Sequence, residues 1–184
     1  LATKQKPPEV LSVTPPASVS SKAAPDKSIL ITLTKDGKAF LMLGDDTKKE
    51  DILKDINTTK GLNLTPGELA KWKKQGFIGL PLNQIKSSLS LSSEIPAAKM
   101  PGIPTDSTNN EMSDWLRSIT NAYRGTAQNK LQEMLLVKGD NAVLYPAFKN
   151  IKQAFKKNEI YKFRIVTNGE AVPVGSELYN SQPK

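Results

Sequence analysis

Residues 133–167 read EMLLVKGDNAVLYPAFKNIKQAFKKNEIYKFRIVT. Glu133 to Lys138 has a continuous apolar centre, Gly139-Asp140-Asn141 has the composition of a turn, and Tyr161 to Thr167 is again aromatic and β-branched. Between them Phe148, Ile151, Ala154 and Phe155 recur at helical spacing over about 145–158, with Pro146 near the start. Lys149, Lys152, Lys156 and Lys157 fall around the other sides of that helix. Two strands joined through a helix predict parallel neighbours and a right-handed connection.

Working outward, Met112, Trp115, Leu116, Ile119, Ala122 and Tyr123 make the clearest helical stripe in the chain. Far upstream, Ser28 to Thr34 and Ala39 to Leu43 are apolar runs flanking Lys35-Asp36-Gly37-Lys38, a hairpin signal built on Asp-Gly. A β-hairpin followed by α-β-α-β predicts an α+β two-layer sandwich: a mixed sheet of about four to five strands with two main helices on one face. Such a sheet leaves its other face and its edges for a partner.

The intervening residues 44–110 read as a helical and loop insertion. Thr47 and Glu50 have capping-box spacing before Ile52, Leu53 and Ile56, with Gly61 beyond the helix. Thr65-Pro66-Gly67-Glu68 repeats the start signal ahead of Leu69 and Trp72, and a third short helix is expected from about Pro81 to Leu91. Residues 92–110 hold three prolines and no period, and read as a mobile insertion or internal linker. Residues 1–27 hold five of the 13 prolines and read as a semi-rigid, PPII-like strap, which leaves 28–167 as the domain and 168–184 as a polar tail.

The 184 residues contain no cysteine and no histidine. That excludes thiol catalysis, disulfide scaffolds, Cys/His zinc sites, Ser-His-Asp triads and a haem with a His or Cys axial ligand. The net charge of +8 is spread along the chain, and only Arg117, Arg124 and Arg164 among the 26 cations are arginines. Dispersed lysines argue for a basic surface rather than a nucleic-acid reader, so no nucleic-acid partner is expected. No apolar run approaches the ~20 residues of a spanning helix. The chain opens on Leu1 rather than Met, which suggests a fragment or a processed chain.

Asp45-Asp46 and Glu50-Asp51 resemble a carboxylate cluster, but anions at a helix N-terminus explain them better than alternating metal ligands would. No phosphate-cradling glycine motif and no nucleophile elbow occurs, and Lys86-Ser87 does not by itself imply Ser-Lys chemistry. Trp115, Tyr123, Tyr145, Phe148 and Phe155 read as core rather than as a binding platform. The expectation is a non-enzyme without catalytic, cofactor-binding or metal-binding residues.

Three stretches together resemble one family. Leu11-Ser-Val-Thr-Pro15-Pro16-Ala17-Ser18 is similar to the strap that follows the transmembrane helix of ExbD-type proteins, with Thr14-Pro15 where Leu-Pro is usual. Ile29 to Phe40 resembles their first periplasmic strand pair. Lys138-Gly139-Asp140, then Val143 and Tyr145, an amphipathic helix, and the strand Lys162 to Thr167 resemble in order the C-terminal half of ExbD/TolR domains. Leu1-Ala2-Thr3-Lys4 looks like the exit from a membrane span, and the length of 44–110 is similar to that of the extended ExbD proteins of Bacteroidetes-type bacteria.

The resemblance implies a periplasmic domain, anchored by a single span in the bacterial inner membrane. It also implies an ExbB-like channel subunit as a membrane partner, a TonB-like periplasmic partner, a homodimer, and proton-motive-force-driven transport across the outer membrane. The family's membrane Asp that carries protons is not in this chain. On this reading the partner contacts are expected at Val10, Leu11, Val13, Pro15, Pro16, Ser18, Phe163, Ile165 and Val166. The alternative is a TolR-like module binding peptidoglycan; a bare scaffold lying against anionic lipid is a further possibility.

Overall fold

The computed structural model describes residues 11–14, 27–125, 128–139 and 145–166. Five strands lie in one mixed sheet: β1 (Leu11–Thr14), β2 (Ile29–Leu33), β3 (Ala39–Leu43), β4 (Leu135–Lys138) and β5 (Phe163–Val166). Their order across the sheet is β1-β5-β4-β2-β3, with every neighbouring pair parallel except β2 and β3. Among the described residues six α-helices accompany them: α1 (Asp46–Thr59), α2 (Pro66–Lys73), α3 (Leu82–Leu89), α4 (Glu111–Ala122), α5 (Gln128–Met134) and α6 (Pro146–Lys157). This is the expected α+β two-layer sandwich with a helical insertion.

Sequence decides the layers through the two periodicities. Ile29, Ile31 and Leu33 of β2 share a face with Leu41, Leu43, Leu135, Val137, Phe163 and Ile165, all buried against the helices. The stripes of α4 (Met112, Trp115, Leu116, Ile119) and α6 (Phe148, Ile151, Phe155) fill the other side of that core. Trp115, Tyr123, Phe148 and Phe155 are buried and Tyr145 packs against the core, so these rings are core, as their spacing predicts. On the far face of the sheet Leu30, Leu136 and Val166 form a second, smaller buried cluster with Met42 beside it.

The hairpin forms where Asp-Gly places it, with a three-residue loop. Thr34 and Lys38 pair through their backbones, and Gly37 takes φ +88°, which a side chain would strain. Helix α1 differs in its start. Asp45, not Thr47, is the cap: its carboxylate accepts from Thr47 N at 3.1 Å and Lys48 N at 3.2 Å. An Asp one residue outside the helix competes better for those amides than a Thr already inside it. The capping box at Thr65 and Glu68 is present as read. Glu133 and Met134, expected in a strand, close helix α5 instead, so β4 starts at Leu135.

The insertion packs as three layers of contact. Ser118 Oγ of α4 donates to Asp55 of α1 at 2.6 Å, and Trp72 of α2 meets Trp115 edge-on with ring centroids 5.6 Å apart. Lys49 is buried on α1, and its Nζ donates to the Gln75 carbonyl just past α2 at 2.7 Å. Burial pulls the Lys49 ammonium below its ordinary pKa, opposed by Asp46 and Glu94.

Residues 92–110 correct the expectation of a loose linker. Met100 and Ile103 are buried in the main core, and Thr105 bridges to Asn110. The backbone there helps cover a sheet edge, with Ile103 N donating to Ala39 O at 2.8 Å; next to it Leu41 exchanges two bonds with Ile78, from an earlier part of the insertion, at 2.8 and 2.9 Å. Prolines with no period thus pack by single anchors rather than by a stripe, and periodicity does not reveal that.

Candidate docking edge

The sheet has two ends, and they are treated differently. Beyond β3, the Leu41–Ile78 bridge and the Ala39–Ile103 bond take up the Leu41 amide and carbonyl and the Ala39 carbonyl of the hairpin's outer edge. Beyond β1, no strand follows among the described residues. An end strand presents a row of outward N–H and C=O groups, the template on which another extended chain pairs.

The residues expected to bind partners divide accordingly. Val10, Pro15, Pro16 and Ser18 lie outside the described residues, as do Asp140 and Val143. Leu11 and Val13 stand in β1, in parallel register with Phe163 and Ile165. The segment read as a strap outside the domain is therefore in part a strand of its sheet. Phe163, Ile165 and Val166 are buried, and their strand lies between β1 and β4 rather than at an edge. Strand β5 is thus the inner neighbour of the end strand.

The remaining motif residues sit at the start of the crossover. Lys138, half-buried, ends β4 opposite Thr32 and Val166, and Gly139 N donates to the Val166 carbonyl at 3.3 Å. Tyr145 precedes α6 and its carbonyl accepts from Phe148 N at 2.9 Å. They hold the β4–α6–β5 unit in shape.

Helix α6 carries a groove of about 310 Å³ lined by Lys149, Lys152, Lys156, Phe155, Tyr161 and Phe163. Phe163 ties that groove to the sheet end, because the same residue pairs with Leu11 of β1. Tyr161 is 54% exposed, one of two large hydrophobic side chains so placed among the described residues. Sequence reading finds the lysines of α6 but has no means to place them beside the end strand, since that juxtaposition depends on a pairing between distant segments.

A second concavity, about 510 Å³, lies where α4 and α6 end. Arg117, Arg124 and Lys157 line it with Asn121 and Asn158. Arg117 donates to Asp114 and Arg124 to Asn121, so both guanidinium groups have local partners. Cations at two helix C-termini also complement the helix dipoles.

The Tyr123 ring forms part of this wall, with Lys48 Nζ 4.8 Å from its centroid. Burial, reinforced by the nearby Asp45 carboxylate, pushes the Tyr123 phenol up to about 12 from 10.0. The folded state then holds that proton more tightly than the unfolded chain between pH 10 and 12, so stability falls as pH rises through this window. The Tyr123→Phe variant is expected to lose this part of the alkaline slope, measured as urea midpoints from pH 9 upward.

The acidic residues near residue 50 have structural partners. Asp45 caps α1, and Glu50 pairs with Lys54 at 3.2 Å and Lys73 at 3.6 Å. Lys54, through its hydrogen bond and its charge, leads in holding the Glu50 carboxyl below the usual carboxylate range. Among the described residues no group of three or more acidic side chains is placed to hold a metal ion.

No protein-family model, no curated protein and no solved structure matches this chain.

Proposed function

We propose that this chain is the periplasmic domain of an ExbD-like subunit, docking a TonB-like protein in a motor that energises outer-membrane transport. The observation that carries the reading is the end strand β1. The Pro-rich segment that resembles the family's juxtamembrane strap supplies the last strand of the sheet, and its outer side has no strand partner among the described residues. A tether entering the domain through an open sheet edge suits a module that accepts an extended partner segment by strand addition. Anchoring by one inner-membrane span, association with an ExbB-like channel and homodimer formation belong to the same proposal and rest on the resemblance.

The test is a backbone-amide NMR titration of the chain with the periplasmic segment of its cognate TonB-like protein. Shifts grouped on Leu11–Thr14 and on the adjoining Phe163–Val166 are the expected result. A folded sample without shifts at millimolar peptide sinks the docking reading.

A second reading, a module that contacts peptidoglycan, draws on the Arg117, Arg124, Asn121 and Asn158 cleft, whose donors suit carboxylates and amides of a cell-wall polymer. Sedimentation with purified sacculi, lost on Arg117→Ala with Arg124→Ala, would favour it over peptide docking.

A further inference from the structure

The charges on α6 are one-sided. Its sequence, PAFKNIKQAFKK, has four lysines and no acid. Lys156 and Lys157 in the last turn complement the helix dipole, whereas Lys149 lies in the first turn, where a cation is unfavourable, and Lys152 lies mid-helix with no dipole to favour it. Lys149, Lys152 and Lys156 fall at i, i+3 and i+7 on one face, where like charges destabilise a helix. No ion pair engages any of these three among the described residues, although six such pairs tie down lysines and an arginine elsewhere. Lys152 rests its ammonium 5.3 Å from the Phe148 ring, and Lys149 and Lys156 are exposed.

This lysine row, without an ion-pair partner among the described residues, does not stand alone. Its groove shares Phe163 with the strand that pairs to β1, and the exposed Tyr161 ring lies along it. An open strand edge supplies backbone bonds to any extended chain and so gives affinity without choice. The choice must come from side chains near the edge, and among the described residues the groove that reaches Phe163 offers three lysines and an aromatic ring.

We propose that the segment accepted at the β1 edge is acidic: an extended peptide with Asp or Glu at alternate positions facing the Lys149–Lys152–Lys156 row, and an apolar residue against Tyr161. The spacing suits this. Lys149 to Lys156 spans about 10.5 Å at the α-helical rise. Alternate residues of a strand lie about 6.7 Å apart, so about two or three carboxylates on one side of the peptide match the row. This inference rests on the docking reading and adds the chemistry of the partner.

The test uses the whole 184-residue chain and two synthetic peptides of about ten residues, long enough to span the edge. One alternates Glu with Val and Thr; its counterpart carries Lys in place of Glu. The Glu peptide is expected to shift amides of Leu11–Thr14 and of Lys149–Tyr161, and to bind about tenfold more weakly at about 500 mM than at about 50 mM salt. Substituting Lys149→Gln, Lys152→Gln and Lys156→Gln together is expected to weaken it at least about tenfold, and the Lys peptide is expected not to bind. If the triple variant does not fold, the salt dependence and the Lys peptide decide alone.

Equal binding of both peptides, or binding indifferent to salt and to the triple substitution, overturns the acidic specificity and leaves docking at β1 standing. Shifts from neither peptide, while the TonB-like segment still binds, overturn the specificity as well. If no peptide binds, the docking reading falls with it. Vesicles of anionic phospholipid that shift the α6 amides when the Glu peptide does not would reassign the lysines to a membrane surface.

Discussion

Replacing Trp115 by Ala is expected to cost about 3–5 kcal/mol, the usual range for deleting a fully buried indole from a close-packed interior. Trp115 is fully buried at the point where α4 meets both the sheet-facing core and Trp72 of the insertion. The cavity left behind would open between two rigid walls, since Met112, Leu116 and Ile119 on the same helix are themselves fully enclosed. Trp115→Phe should behave otherwise. Among the described residues the buried indole Nε1 of Trp115 has no hydrogen-bond partner, so a benzene ring removes a donor that none of them satisfies and keeps the edge-on contact with Trp72. Its expected cost is about 1–2 kcal/mol, from lost volume alone. Chemical denaturation followed by far-UV circular dichroism separates the two variants. Equal losses would show that the indole N–H does contribute to stability.

The second large effect is expected at Gly102. Its φ of +93° belongs to the left-handed region, and an added Cβ would come within 3.0 Å of the Ala39 amide nitrogen and 3.2 Å of Lys38 Cα. Both obstacles are backbone, which cannot turn aside as a side chain can. Strain of about 1–3 kcal/mol and overpacking of similar size should therefore add in Gly102→Val. The same substitution pushes Ile103 from Ala39 and breaks the 2.7 Å bond from Gly102 N to Gly79 O, exposing the outer edge of β3. Hydrogen exchange is the decisive measurement. Faster exchange at Ile103 and at Leu41, whose amide donates to Ile78, is expected while β4 amides stay protected. An unprotected hairpin edge also predicts concentration-dependent association, visible by light scattering. Unchanged exchange at Leu41 would mean that 102–103 and 78 hold the edge independently.

The layers of this fold were legible because the helical stripes at Met112 to Tyr123 and Phe148 to Phe155 were strong and the hairpin announced itself as two apolar runs around Asp-Gly. The strands Ile29–Leu33 and Ala39–Leu43 do not alternate, since Leu30 and Met42 are apolar on the far face as well. What sequence reading missed shares a cause. The anchoring of Met100 and Ile103, the start of α1 at Asp45 and the pairing of Leu11–Thr14 with β5 each depend on partners far away or on competition between neighbouring caps. A segment of four residues next to prolines has too few positions for a period to register, and its strand character comes from what it meets. The candidate site inherits that limit. The lysines of α6 were visible in the sequence as a polar face, but their place beside an open edge follows only from the β1–β5 pairing. Partner contacts are expected at Phe163, Ile165 and Val166 from the resemblance, and nothing in the sequence announces that another strand lies outside them.

That outermost pairing also bears on the order in which the molecule assembles. The β2–β3 hairpin closes over three residues, and β4, α6 and β5 are consecutive, so both units can form from contacts near in sequence. The β1–β5 ladder instead joins the first described segment of the chain to the last, and closing so long a loop is entropically the costliest step. Its four paired positions give it little to hold with. The end strand should therefore be the last piece to settle during folding and the first to detach under denaturant, leaving β5 briefly as the sheet's edge while the hairpin and crossover remain intact.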